Sequence, residues 1–316
     1  MNRPVKIMEK PVLKRPGDFE IVYAPPSVED FLALRKLGNL GEKDPIAMRE
    51  SLARSAFAIQ VLHEGRCIGF CRTLSDGALW YMMADGVILP EYQAGGIGKF
   101  LVSSLIYNFY ENAAPGGRLL AITHAPDFGV KSGFNRFPSG VTGGFAWVPP
   151  ELKKAGRFVN PISLSPLQKG EGYQVSYDSP DLESFQRLRA LSGLAATGEE
   201  AARISLSNSL MTIKIDYLGK TVAFARILGE TFAWAYMVDV CADPAHDADA
   251  LKTHMIRDLS ARYYEKGAPG AYMLFITDRI DLAKTAGLTP VEPREICLYA
   301  DQPPLTDSSS MDGHNI

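Results

Sequence analysis

No apolar run in this 316-residue chain approaches the roughly 18–20 residues that a membrane-spanning helix needs. Cysteine is scarce. Cys67, Cys71, Cys241 and Cys297 form no CxxC pair and no cysteine–histidine cluster at zinc spacing, which argues against a structural zinc site or a disulfide framework. Most of them sit in apolar, β-branched runs, where a buried reduced thiol is the ordinary reading, and a cytoplasmic protein fits that usage. An excess of one charge is also missing. The 33 Lys and Arg against 36 Asp and Glu leave a net charge of −3, with no basic footprint for nucleic acid or an anionic membrane. Met1 to Asp18 is basic and contains proline but lacks the apolar core of a secretory signal. What the chain does have is a 46% hydrophobic content, ample for a packed core, and a length that suggests about two domains.

The second domain is a copy of the first. A shift of 154 residues carries Tyr23, Pro26, Glu29, Phe31, Leu34 and Arg35 onto Tyr177, Pro180, Glu183, Phe185, Leu188 and Arg189 without a gap. The same shift carries Gly65, Phe70, Arg72, Trp80, Asp85 and Pro90 onto Gly219, Phe224, Arg226, Trp234, Asp239 and Pro244. The duplication predicts an extension at 1–16, a first domain at 17–150, a linker at 151–172, a second domain at 173–304 and a disordered tail at 305–316.

Each copy has one grammar. In the first, Phe19–Tyr23 reads as a strand and Ser27-Val-Glu-Asp30 as a capping box opening a helix. Asp44-Pro45 reads as an N-cap with proline at the first helical position. Phe57–His63 and Arg66–Leu74 are strands joined at Glu64-Gly65, and Leu79–Leu89 is a third. A long amphipathic helix spans Gly96–Asn112, burying Leu101, Leu105 and Phe109. A strand at Leu119–Thr123, a short helix at Asp127–Ser132 and a closing strand at Gly144–Val148 complete the unit. Hairpins combined with one βαβ crossover predict a mixed sheet, in an α/β (α+β) fold.

The stretch Val87-Ile-Leu-Pro-Glu-Tyr-Gln-Ala-Gly-Gly-Ile-Gly98 is a strand, a glycine-rich turn and a helix start. Glycines leave the backbone N–H groups of the helix N-terminus accessible to an anion, and the helix dipole favours negative charge there. No Gly-Lys-Ser/Thr ends the loop, and it falls after antiparallel hairpins, so neither a Walker loop nor a Rossmann fingerprint is present.

These residues, and the Gly133-Phe134 pair after the short helix, resemble the GNAT N-acetyltransferase superfamily, and both copies share the resemblance. It implies two tandem GNAT domains with acetyl-CoA as cosubstrate, held between splayed fourth and fifth strands. Carried over, Val87, Ile88 and Leu89 would contact the pantetheine arm. Gln93, Ala94, Gly95, Gly96, Ile97 and Gly98, with Lys99, would cradle the pyrophosphate. The second copy has Asp247-Ala-Asp-Ala-Leu-Lys252 at this place. Carboxylates there cap the helix and oppose a phosphate, so the cofactor is expected in the first copy alone.

The tyrosine acid that many members carry four residues before Gly-Phe is Gly129 here and Ala283 in the second copy. Asp85 and His124 are then the candidate catalytic groups, with Tyr81 and Tyr92 as alternatives. Asp85 has a structural reading of equal weight, because Asp239 matches it in the degenerate copy. Arg72 and Arg226 read as fold-level ion-pairing residues. The expected function is acetyl transfer to a primary amine of a small molecule, without a metal, by a monomer built as an internal pseudo-dimer or by a homodimer. A non-catalytic acyl-CoA-binding protein, or a related acyl reaction such as O-acylation or decarboxylation, is the alternative.

Overall fold

The computed structural model describes residues 9–13, 19–38, 40, 43–147, 160–163, 166–167, 170–292 and 296–301. The first copy opens with β1 (Phe19–Val22), α1 (Val28–Leu37) and α2 (Pro45–Ala53). Ser27 caps α1 by accepting the Asp30 N–H at 3.0 Å, and Asp44 caps α2 by accepting the Ala47 N–H at 2.8 Å. β2 (Phe57–His63) and β3 (Arg66–Ser75) form a hairpin. Its two turn residues, Glu64 and Gly65, take φ of 50° and 75°, as a two-residue turn matching the strand twist requires. β4 (Trp80–Ile88) lies antiparallel to β3 and leads through a 3-10 turn (Pro90–Gly95) into α3 (Ile97–Asn112). β5 (Arg118–Thr123), α4 (Pro126–Ser132), β6 (Asn135–Arg136) and β7 (Thr142–Trp147) follow.

The second copy repeats the plan as β8 (Tyr173–Ser176), α5 (Leu182–Leu191), α6 (Glu199–Ser207), β9 (Met211–Tyr217), β10 (Lys220–Gly229) and β11 (Trp234–Ala242). It continues through α7 (Ala248–Lys266), β12 (Tyr272–Thr277), α8 (Ile280–Thr285), β13 (Thr289–Pro290) and β14 (Ile296–Asp301). Only the two-residue strands β6 and β13 go beyond the strands read from the sequence; they are too short to carry a periodic pattern. Val148, most of the 1–16 extension and the 305–316 tail lie outside the described residues. Within the expected linker, Ile162 packs into the core of the second copy.

The copies are joined by strand exchange. One sheet runs β1-β2-β3-β4-β5-β14-β6 and the other β13-β7-β12-β11-β10-β9-β8. β14 pairs antiparallel with β5, Leu298 opposite Ala121, and β7 pairs antiparallel with β12, Phe145 opposite Leu274. The expected closing strand therefore exists but closes the other copy's sheet. A period-2 apolar pattern says that a residue run is a strand and is silent on which edge it joins.

Each sheet buries one face under its long helix. Leu101, Leu105 and Phe109 of α3 lie in the first core, and Leu251, Met255 and Leu259 of α7 lie in the second. A third core is shared between the copies, with Leu74, Trp80 and Met82 packed among Phe185, Phe224, Leu228 and Tyr236. Fully burying a large apolar side chain stabilises by about 1.5–3 kcal/mol, so this shared cluster favours the association of the two copies. All four cysteines are buried free thiols, and burial raises those of Cys67 to about 11 and Cys241 to about 12. Among the described residues, no helix is long and apolar enough to cross a membrane.

Candidate active site

β4 and β5 run parallel but pair only where Trp80–Met82 meets Arg118–Leu120. Beyond that point β4 continues to Ile88 and β5 to Thr123, and the two diverge. A cavity of about 1320 Å³ occupies the opening. Met83–Ile88 of β4, Ala121–Thr123 of β5, Gly98 and Leu101 of α3, and Phe128 of α4 line it. Its far wall comes from the second copy, through Trp234, Tyr272, Leu274 and residues 289–292.

The glycine-rich turn lies at the mouth of this opening. Gln93 and Gly98 line the cavity, and Gln93 Nε2 donates to the Ile88 carbonyl at 3.5 Å. Gly96 is the N-cap of α3, with φ of 79° and no side-chain cap. A Cβ placed on Gly95 or Gly96 meets nothing within 4 Å, so both face open space. A Cβ on Gly98 would lie 2.6 Å from Ile88 Cδ1 and 3.1 Å from Phe128 Cζ, so glycine there keeps the helix start close to the strand. An uncapped helix N-terminus facing open space suits a phosphate, through its first-turn N–H groups and the helix dipole. These residues fit the pyrophosphate of a CoA ester.

The expected cofactor contacts divide accordingly. Val87 and Ile88 line the cavity. Lys99 is exposed on the first turn of α3, and Ala94 and Gly95 end the 3-10 turn. Ile97 is buried in the core, so its side chain faces away from the mouth and only its backbone belongs to the turn. Leu89 does not line the cavity: its side chain is in the core, its N–H donates to Ile68 O at 2.9 Å and its carbonyl accepts from Tyr92 N–H at 2.9 Å.

In the second copy, β11 and β12 also separate, beyond Met237 and Phe275. There the mouth is filled from within. Asp247 caps α7 by accepting the Ala250 N–H at 3.2 Å. Arg279, which follows β12, donates to both oxygens of Asp249 at 2.8 and 2.9 Å and also reaches Asp281. The Arg279 hydrogen bonds hold the Asp249 carboxyl below the usual range.

Asp85 is buried in a network of charges. Its Oδ1 accepts from Arg35 Nη1 at 2.9 Å and from Trp234 Nε1 at 3.4 Å, and its Oδ2 accepts from Arg72 Nε at 2.7 Å. Arg72 also donates to Ser51, carbonyl and hydroxyl alike, and Ser51 Oγ donates to Glu230 at 2.6 Å. The second copy reproduces this: Asp239 is held by Arg189, Arg226 and Trp80, Arg226 donates to Ser205, and Ser205 donates to Asp76. Each member thus has its counterpart 154 residues on, and the ties to tryptophan and to the second carboxylate cross between copies.

The other candidates separate. His124 is exposed at the end of β5 and lines the cavity, where the second copy has Asp278. The Tyr92 hydroxyl is 2.7 Å from His63 Nδ1, a packing role. Tyr81 is buried against Phe109 and its hydroxyl is raised by desolvation. Gly129 lines the cavity where a tyrosine would stand.

One cavity residue went unread in the sequence. Lys43, between α1 and α2, donates to the Gly270 carbonyl, and its Nζ lies 4.8 Å from the ring centre of Tyr272 and 5.4 Å from that of Trp234. Desolvation, with Arg35 nearby, lowers its pKa to about 8. A lone lysine in a loop carries no motif; the available signal was its replacement by Thr197 in the second copy.

No family model matches the chain. In sequence it is similar to GCN5-related N-acetyltransferase 2, chloroplastic, of Arabidopsis thaliana, 35% identical over 86 residues, 27% of this chain and 33% of that protein. It is also similar to the probable acetyltransferase TAP2 of Glycine max, 27% identical over 41% of this chain and 57% of that one. The chain thus spans between a third and three fifths of the length of such relatives. In fold it matches a GCN5-related N-acetyltransferase from Sphaerobacter thermophilus, with a TM-score of 0.55 at 14% identity over 93% of this chain and 99% of that one. A tandem GNAT protein from the clavulanic acid biosynthesis pathway matches with a TM-score of 0.50 at 15% identity, over 91% of this chain and all of that one. The chain carries the fold of these GNAT proteins, with two units of it in tandem.

Proposed function

We propose that the protein is an acetyl-CoA-dependent N-acetyltransferase that acts on a primary amine of a small molecule and binds the cofactor in its first copy alone. The observation carrying this reading is the contrast at the two mouths. Gly95 and Gly96 leave the start of α3 open, while Asp247, Asp249 and Arg279 occupy the start of α7. Bound acetyl-CoA would supply an activated thioester. The chain's own contributions are the β4 edge from Met83 to Ile88, the first turn of α3, and a mainly apolar cavity. The acceptor reaches the thioester from the end walled by Trp234 and Tyr272.

Asp85 serves this reading as a positioning residue. Both its oxygens accept charge-assisted hydrogen bonds, and the same arrangement recurs in the copy without a glycine loop. His124, exposed at the end of β5 and lining the cavity, is then the candidate for proton transfer. The absence of a tyrosine at Gly129 keeps the acyl-CoA-binding alternative in view. The test is thiol release from acetyl-CoA with a panel of small amines: release that depends on the amine supports the enzyme reading, and cofactor binding without release to any nucleophile supports the alternative. A cytoplasmic site of action is consistent with the four buried free thiols.

A further inference from the structure

We propose that Lys43 is a self-acetylation site, its amine taking the acetyl group from acetyl-CoA held in the same cavity. The inference rests on the cofactor reading above. Lys43 lines the cavity together with Met83–Ile88 of β4, the strand edge along which the thioester arm would lie. Its immediate contacts are one backbone carbonyl and two aromatic faces, of Tyr272 and Trp234. The acidic groups that bear on it, Asp85 and Glu230, are hydrogen-bonded to Arg35, Arg72 and Ser51. Burial is the largest influence against its positive charge, and the charges of Arg35 and Arg72 add to it.

The consequence is a nucleophile. With a pKa of about 8, roughly a tenth of Lys43 side chains are neutral at pH 7, against less than about one in a thousand for an ordinary lysine. The ammonium first gives one proton to solvent. The neutral Nζ attacks the thioester carbonyl, a C–N bond forms and the C–S bond breaks. The second nitrogen proton ends on the departing sulfur, leaving an amide on Lys43 and CoA as the free thiol. The amide has no charge to set against Trp234 and Tyr272, so the acceptor end of the cavity changes character once modified.

The full-length protein is incubated with acetyl-CoA without any acceptor amine, and acetylated lysines are mapped by mass spectrometry. Lys43 is expected to be modified roughly tenfold or more faster than the exposed Lys99 and Lys131. The Gly96→Asp variant should show only the slow background at all three. In the unliganded protein, trace labelling with acetic anhydride across pH should show Lys43 titrating near pH 8. Acetyl-CoA binding by calorimetry with Lys43 left unmodified, or modified equally fast in Gly96→Asp, would overturn the proposal alone. Lys43 titrating like a surface lysine would do the same. Absence of acetyl-CoA binding would overturn the cofactor reading along with it.

Discussion

Asp249 and Arg279 meet across the mouth of the second copy's strand opening, in a two-pronged pair of 2.8 and 2.9 Å, at positions held by Gly95 and Ala125 in the first. The pair is exposed, so solvent screens it and its removal should move the unfolding temperature little. Arg279→Ala should therefore fold normally and still bind no acetyl-CoA in its second copy, because Asp247 and Asp249 remain at the start of α7. Differential scanning calorimetry and a binding titration check both halves of this expectation.

Asp85 and Asp239 should behave alike. Removing one partner of a buried ion pair typically costs about 3–5 kcal/mol, because the remaining charge is left uncompensated. Asp85→Asn and Asp239→Asn should each lower the denaturant midpoint by a comparable amount. A stable Asp85→Asn with lost turnover, beside a harmless Asp239→Asn, would return Asp85 to the chemistry.

Strand exchange predicts that neither copy folds alone. A fragment ending at residue 155 lacks β14, leaving the β5 edge unpaired, and its complement lacks β7. Each fragment should show no cooperative unfolding by circular dichroism. The two produced together should copurify and elute as the intact chain does.

Lys43 gives a pH dependence of defined sign. Its pKa falls from 10.5 to about 8 on folding, so between those values the unfolded chain binds more protons. Stability from this group is complete above pH 10.5 and is lost as pH falls toward 8, over a range of the order of a few kcal/mol. Relative to Lys43→Met, the wild type should gain denaturant resistance from pH 8 upward. Parallel curves for the two would contradict the depressed amine.

The sequence held the duplication, the order of elements and the asymmetry of the two loops, because gapless repetition and helix caps are local signals. Ser27 and Asp44 cap the helices they were expected to cap. Partnership in space was not legible. Nothing in Thr142–Trp147 indicates that it pairs with Tyr272–Thr277, and nothing in Asp85 that Trp234 hydrogen-bonds to it. Lys43 escaped notice because its environment is made by Tyr272 and Trp234, more than 190 residues away in the chain. Comparing the copies at matched positions is informative here. What recurs in both, such as the Asp85 and Asp239 networks, points to the fold, and what differs, such as Gly95 and Asp249, points to the proposed site.

Titration calorimetry of the full chain with acetyl-CoA tests the central claim most directly. One site per chain is expected, lost in Gly96→Asp, where a carboxylate would stand at the open start of α3 while thermal unfolding still reports a folded protein. Two equivalent sites per chain, or unchanged affinity in a folded Gly96→Asp variant, would contradict it.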